Sequence, residues 1–196
     1  MNILIDKLPE ALEIEGELYP IHTDFRVWIR FALLFSESKV EMAQKFAEAI
    51  PLCFDLSKQN KLPPTLQLTL TGLFEFYAGD KKDDKANKIV VQEKQKRIYS
   101  FEFDAPYIYA AFLAQYGIDL KIANLHWWQF NALFSGLNED NKICKIMGYR
   151  AVELDQVKDK TQKAFYRKMQ NLYRLPDMRT DEEMEADIAA CFDRLI

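Results

Sequence analysis

The sequence predicts a mainly α-helical protein, a single domain over residues 1–196 with about seven or eight helices and a small N-terminal β-hairpin. Apolar residues recur at helical spacing along most of the chain. Strand-like alternation is confined to one stretch near the N-terminus. The composition is 49% hydrophobic and 13% aromatic, which is enough apolar material for a substantial core.

The hairpin is predicted over residues 12–21, where apolar residues alternate with glutamates around a turn at Glu15 and Gly16. Pro20 favours an edge position for the second strand, because proline has no N–H to donate. Residues 3–5 are predicted to add a further short strand.

Three helices follow the hairpin, and each is bounded by residues that favour helix ends. The boundary residues are Thr23 or Asp24 for the first helix, Ser38 and Pro51 for the second, and Pro63, Pro64 and Gly79 for the third.

Residues 80–97 interrupt the helical pattern. The stretch is charged and nearly free of core residues, which predicts a mobile loop between an N-terminal helical half and an aromatic C-terminal half. Its lysines also raise the alternative of a nucleic-acid site. The net charge of the chain, −4, and the lack of interleaved aromatic residues favour a solvated loop instead.

The chain after this loop holds most of the aromatic residues and is expected to form the core. Residues 98–103 are predicted to be extended. Asp104 is predicted to cap a helix that ends at Tyr116 and Gly117. Residues 107–114 are apolar without a break, so this helix is expected to be buried on all sides.

Asn124 and Asn138 are predicted to cap the next two helices. The first of these helices, expected to run to about Leu137, carries apolar residues on two faces and needs two neighbours. Trp127 and Trp128 lie on it and point about 100° apart. Either both rings belong to the core, or one of them is an interface anchor for a partner.

Asp155 is predicted to cap a long helix with a narrow apolar stripe and a basic face that includes Lys158, Lys163 and Arg167. This basic face is interpreted first as solvated and second as a charge-matched surface for a partner. A capping box at residues 180–183 then introduces a final helix with regular apolar spacing.

The sequence offers no residue set for catalysis, a cofactor or a metal, so a non-enzymatic protein is expected. His22 and His126 have no ligand partners nearby. Cys53, Cys144 and Cys191 lack paired spacing, which argues against a disulfide framework and favours a reducing compartment. Neither a phosphate-binding glycine loop nor a nucleophile motif occurs. With no signal peptide and no long apolar run, a cytoplasmic protein is expected.

The runs YIYAAFLAQYGIDL, LHWWQFNALFSGL and KIMGYR, with the Lys-rich helix that follows, resemble a family of tail-region proteins of siphophages and prophages of Gram-positive bacteria. The family is known by the phage gene-product name gene product fifteen, and the resemblance covers nearly the whole chain. The family's genes typically lie between the tail-tube gene and the tape-measure gene. That position is usually held by tail assembly chaperones.

The resemblance therefore implies a chaperone in the host bacterial cytoplasm. Such a protein binds the tape-measure protein, helps to recruit tail-tube subunits, and is absent from the finished virion. Other expected partners are the tail-tube protein or another tail chaperone. A minor structural component of the tail is the alternative, and a nucleic-acid-binding protein is a further one. The residues predicted to bind a partner are Trp127, Trp128, Lys158, Lys163 and Arg167.

Overall fold

The computed structural model describes residues 2–36, 40–58, 61–79 and 97–176. Within these ranges it contains seven helices and one two-stranded antiparallel sheet, which confirms the predicted fold class. The elements are β1 (Ala11–Ile14), β2 (Glu17–Pro20), α1 (Phe25–Ser36), α2 (Met42–Cys53), α3 (Leu66–Ala78), α4 (Ala105–Tyr116), α5 (Trp127–Ser135), α6 (Lys142–Ala151) and α7 (Lys160–Leu172).

Three predicted features fall outside the part of the chain that the structure describes. They are the predicted loop at residues 80–97 except for Arg97, the predicted helix start at Ser38, and the capping box and final helix beyond residue 176.

The hairpin forms as predicted, with Ala11 paired to Pro20 and Ile14 paired to Glu17. Glu15 and Gly16 make the turn with φ values of 54° and 80°. Two successive positive φ angles define a type I′ turn, whose twist matches that of the two strands.

The prediction of a strand at residues 3–5 is wrong. These residues form a turn in which the Ile5 and Asp6 N–H groups donate to the Asn2 carbonyl. The Asn2 N–H in turn donates to the Asp6 carboxylate at 2.6 Å. Asparagine and aspartate side chains satisfy the local backbone in this way and so compete with strand pairing.

Two isolated β-bridges attach the chain just after the hairpin to the rest of the fold. Ile21 pairs with Phe54, which follows α2, and Asp24 pairs with His126, which precedes α5. The end of α2 and the start of α5 therefore lie beside the start of α1.

Pro51 lies inside the last turn of α2 and does not end the helix as predicted. The helix continues to Cys53, and the Phe54 N–H still donates to the Ile50 carbonyl at 3.0 Å. Proline removes its own hydrogen bond, but the bonds on its C-terminal side remain available.

The predicted starts of α5, α6 and α7 are each a few residues too early. Helix α5 is capped not at Asn124 but at His126, whose ring accepts the Trp128 N–H while the Gln129 side chain accepts the His126 N–H. This reciprocal pair is a capping box with histidine in the place of serine or threonine.

Helix α6 begins after Asn141 instead of Asn138. Helix α7 begins after Asp159 instead of Asp155, because the Asp159 carboxylate accepts the Gln162 N–H at 2.7 Å. In both cases the predicted cap and the cap that is used are residues of a capping type only three or four positions apart, and tertiary packing decides which of the two is used.

Residues 98–103 are not extended throughout, because residues 101–103 form a turn that leads into α4. Asp104 precedes α4 as predicted, but its side chain makes no capping hydrogen bond. It accepts the Ser100 N–H and two hydrogen bonds from Arg150 instead.

Helix α4 is not buried on all sides. Its buried residues are Ile108, Ala111 and Phe112, and they share one face, whereas Leu113 is exposed. The helix packs on α5 and α6 with this face. Gly117 ends it in the left-handed conformation, with φ of 66°, as predicted.

The core is one contiguous cluster to which the hairpin and α1–α6 contribute. Its centre is an aromatic stack on Phe130. The Phe130 ring lies 4.9 Å from the Phe25 ring, 5.0 Å from Phe112 and 5.7 Å from Trp127, all close to parallel. Stacked pairs of this kind add to the stabilisation from burial alone.

Candidate partner-binding surfaces

Trp127 and Trp128 both donate their indole N–H groups to the last turn of α3. Trp127 Nε1 lies 2.8 Å from the Tyr77 carbonyl oxygen, and Trp128 Nε1 lies 2.8 Å from that of Phe76. The last carbonyls of a helix have no partner within it. The two consecutive tryptophans therefore provide hydrogen-bond donors for carbonyl groups at the C-terminal end of α3.

The two rings differ in burial. Trp127 is fully buried and stacks on Tyr77 at 5.1 Å. Trp128 is half-buried, against Phe76 at 5.4 Å and the His126 ring at 6.0 Å. Of the pair, Trp128 is therefore the ring that retains accessible surface.

Helix α7, which carries the predicted basic face, is joined to the chain around α6 by hydrogen bonds and by aromatic contacts with Tyr149. The Gln170 amide donates to the carbonyls of Tyr149 and Val152 at the end of α6. Arg150 Nε donates to the Tyr173 carbonyl at 2.7 Å. No residue of α7 is fully buried, so this helix lies at the edge of the fold.

The apolar stripe of α7 is open to solvent over much of its length. Phe165 is 48% exposed and Leu172 is 64% exposed. Their spacing of seven residues puts them on one side of the helix, and Met169 lies between them. The Phe165 ring makes edge contacts with Tyr149 at 5.9 Å and with Tyr166 at 5.5 Å, and about half of its surface stays exposed.

Helix α7 and the residues beside it are rich in cations. Residues 158–174 contain six basic residues and one acidic residue, Asp159, in a chain whose net charge is −4. Lys158 and Arg167 are exposed, and Lys163 is partly buried, with its Nζ 3.6 Å from the Asp155 carboxylate. That carboxylate is fully exposed, so water and salt screen the pair.

The five residues predicted to bind a partner thus fall into two groups on different elements. Trp127 and Trp128 complete α3, while Lys158, Lys163 and Arg167 lie on or just before α7. We name the second group, together with Phe165 and Leu172, the α7 surface.

The described residues show little that suggests reaction chemistry. Among them, no three histidine, cysteine, aspartate or glutamate side chains lie close enough together to hold a metal ion. Burial raises the pKa of the Cys53 thiol to about 12, so the reactive thiolate form is disfavoured. None of the helices in the described ranges is long and apolar enough to span a bilayer.

Comparison with known protein families gives one match. Residues 4–175 match the family described as Bacteriophage Gp15 protein. The chain belongs to this family. No curated protein and no solved structure matches this chain. The Gp15 family is one of phage structural or morphogenesis proteins, and the match takes in the whole of α7 and both tryptophans.

The sequence did not reveal which apolar residues of this Gp15 protein stay exposed. The α7 stripe is visible as a pattern, but a stripe of the same spacing would fit a buried face equally well. The signal that distinguishes an exposed stripe from a buried face is the basic composition of the remainder of the helix. This composition leaves too few apolar positions for deep burial.

Proposed function

We propose that this protein is a tail assembly chaperone, which binds the tape-measure protein of its own phage before the tail forms and helps to recruit tail-tube subunits. The observation that carries the proposal is the Gp15 family match over residues 4–175. The gene position implied by the resemblance, between the tail-tube and tape-measure genes, supports it.

The α7 surface is the contact that we propose for the tape-measure protein. A tape measure is a long, largely helical protein with apolar stripes, and such a chain aggregates when its stripes are uncovered. A second helix with its own apolar stripe can pair with Phe165 and Leu172, as in other helix-binding surfaces. The basic residues elsewhere on α7 favour a partner segment that also carries acidic residues.

Trp128 is the second proposed contact. It is the accessible member of the pair, and half-buried aromatic rings are frequent anchors in interfaces. Its indole N–H is already used by α3, so a partner would contact the ring surface instead of this donor.

Co-expression tests the proposal. The tape-measure protein should be insoluble when expressed alone, and it should be soluble and co-purify with this protein when both are expressed. Leu172→Glu should reduce the co-purified amount. Ile122→Glu is the matched control, because Ile122 is 82% exposed and lies on a different surface turn. A tape measure that stays insoluble beside the unaltered protein would contradict the proposal.

A minor structural component of the tail is the second candidate, since the family assignment covers structural and morphogenesis proteins alike. Quantitative mass spectrometry of purified virions separates the two. A chaperone should be absent from virions, whereas a structural component should be present in a fixed ratio to the tail proteins.

A further inference from the structure

The hairpin and helix α7 carry charges of opposite sign. We propose that the hairpin of one copy of this protein docks on α7 of a second copy, so that the copies associate head to tail. The inference concerns the purified protein and stands whether or not it binds a tape measure.

Three cations lie along one edge of α7. Lys160, Lys163 and Arg167 are separated by three and four residues, so they fall within about 60° around the helix axis. We name them the basic edge. Arg167 lies about 160° from Phe165 and about 140° from Leu172, so the basic edge and the apolar stripe are on different sides of the helix. Lys160 and Arg167 are exposed, and no carboxylate among the described residues pairs with either of them.

The hairpin presents an acidic face with an exposed leucine in it. Residues 10–17 contain four glutamates and no basic residue. Glu13 and Leu18 are cross-strand partners, so their side chains share the face of the sheet opposite to that of the buried Tyr19. Leu18 is 70% exposed, and Glu15 adds a further charge at the turn. In the part of the chain that the structure describes, neither Glu13 nor Glu15 has a cationic partner.

The acidic face and the basic edge are complementary in more than net charge. The glutamates can pair with the cations of α7, and Leu18 can pack on the methylene groups of the same lysine and arginine side chains. Opposite charges on two surfaces favour their association and fix its orientation.

The fold keeps the two surfaces apart within one copy. The hairpin packs on α3, whose C-terminal end accepts hydrogen bonds from α5. Helix α5 packs on α4, α4 packs on α6, and α6 packs on α7. Four helices therefore separate the hairpin from α7 in the order of contacts, and we assign the pairing to two copies. Because the contact uses a different surface on each copy, every dimer retains one free hairpin and one free α7 for further copies.

Sedimentation velocity of the full chain tests the association. In low salt, the mean sedimentation coefficient of the unaltered protein should rise with concentration, because dimers and longer species form. In about 1 M salt, where the Debye length is about 3 Å, this rise should disappear. A protein that stays monomeric in low salt at about 1 mM would overturn the proposal and leave the basic edge to a different acidic protein. Association that persists in high salt would also overturn it, because the contact would then be apolar.

Neutral variants of the two surfaces test whether the contact is head to tail. Glu13→Gln with Glu15→Gln alters the hairpin, and Lys160→Gln with Arg167→Gln alters α7. All four side chains are exposed, so both variants should fold. Each variant alone should lose the association. Their equimolar mixture should form dimers and no longer species, because one intact hairpin then meets one intact α7. A mixture that stays monomeric would overturn the proposal.

Lys168→Gln with Lys121→Gln is the matched control. It removes the same charge from two exposed positions outside the basic edge, and Lys168 lies about 100° from Arg167 around the helix. This control should associate like the unaltered protein. An equal loss of association in the control would overturn the proposal, because net charge and not the basic edge would then govern the association.

Discussion

Arg150 holds Asp104 through two hydrogen bonds, from Nη1 to Oδ2 at 2.6 Å and from Nη2 to Oδ1 at 3.0 Å. The two side chains are 7% and 2% exposed, so the ion pair is almost completely shielded from water. Arg150 also donates to the carbonyls of Ile98 and Tyr173. One guanidinium group therefore joins the segment before α4, the end of α6 and the end of α7.

The first prediction follows from this pair. Asp104→Asn should lower the free energy of unfolding by about 3–5 kcal/mol, because it leaves a buried guanidinium without its counter-charge. Urea unfolding measures the change. Lys145→Ala, which breaks an exposed pair with Asp140, is the control and should cost less than about 1 kcal/mol. A loss of similar size in both variants would show that the buried pair has no special role.

The second prediction concerns the two tryptophans. Trp127→Ala should cost about 3–5 kcal/mol, as truncation of a fully buried aromatic residue does. Trp128→Ala should cost less, because its ring is half-buried and its main loss is one hydrogen bond of about 1 kcal/mol. Thermal and urea unfolding of the two variants check the order. Equal losses would contradict the difference in burial.

The third prediction concerns pH. Burial lowers the pKa of His126 from its usual 6.5, although its contact with the Pro9 carbonyl and the charge of Glu10 act in the opposite direction. Nδ1 accepts the Trp128 N–H, so the folded state favours the neutral ring with its proton on Nε2, 3.0 Å from the Pro9 oxygen. The unfolded chain binds a proton more readily. The contribution of His126 to the free energy of unfolding should therefore be fully present above about pH 6.5 and decrease as the pH falls below that value.

Urea midpoints between pH 7.5 and pH 5 measure this dependence. His126→Asn is the control, because asparagine also caps helices but does not titrate in this range. The variant should lose this part of the pH dependence. An identical slope in both proteins would show that His126 is not responsible.

The fourth prediction uses two glycines with equally open surroundings. An added Cβ would meet no atom within 4 Å at either Gly148 or Gly117. Gly148 lies inside α6, so Gly148→Ala should raise stability by about 0.5–1 kcal/mol. Gly117 has φ of 66°, so Gly117→Ala should lower stability by about 1–2 kcal/mol. Changes of the same sign in thermal unfolding would contradict the backbone argument.

Local pattern predicted most of the helices, the hairpin turn and the glycine ends at Gly79 and Gly117, because periodicity and turn chemistry act over a few residues. The ion pair of Asp104 and Arg150 was not predicted. Its partners are 46 residues apart, and Asp104 resembles an ordinary helix cap in the sequence. Contacts at such separation depend on how the helices pack.

The candidate surfaces show the same limit. The sequence identified the basic residues of α7 and the tryptophan pair as features of interest, but it did not show that the pair completes α3. It also showed a narrow apolar stripe with Phe165 and Leu172, but not whether that stripe is covered. Whether a stripe is covered depends on the neighbour that it meets, and in the described part of the chain the main neighbour of α7 is α6.

The most direct test of the central claim is the dissociation constant for this protein and the soluble helical part of its tape-measure protein, measured by isothermal titration calorimetry. We predict saturable binding by the unaltered protein. Leu172→Glu should weaken it about tenfold or more, since one apolar contact is lost, and Ile122→Glu should bind normally. Absence of binding by the unaltered protein would contradict the chaperone proposal, and equal affinity of all three proteins would contradict the α7 surface as the contact.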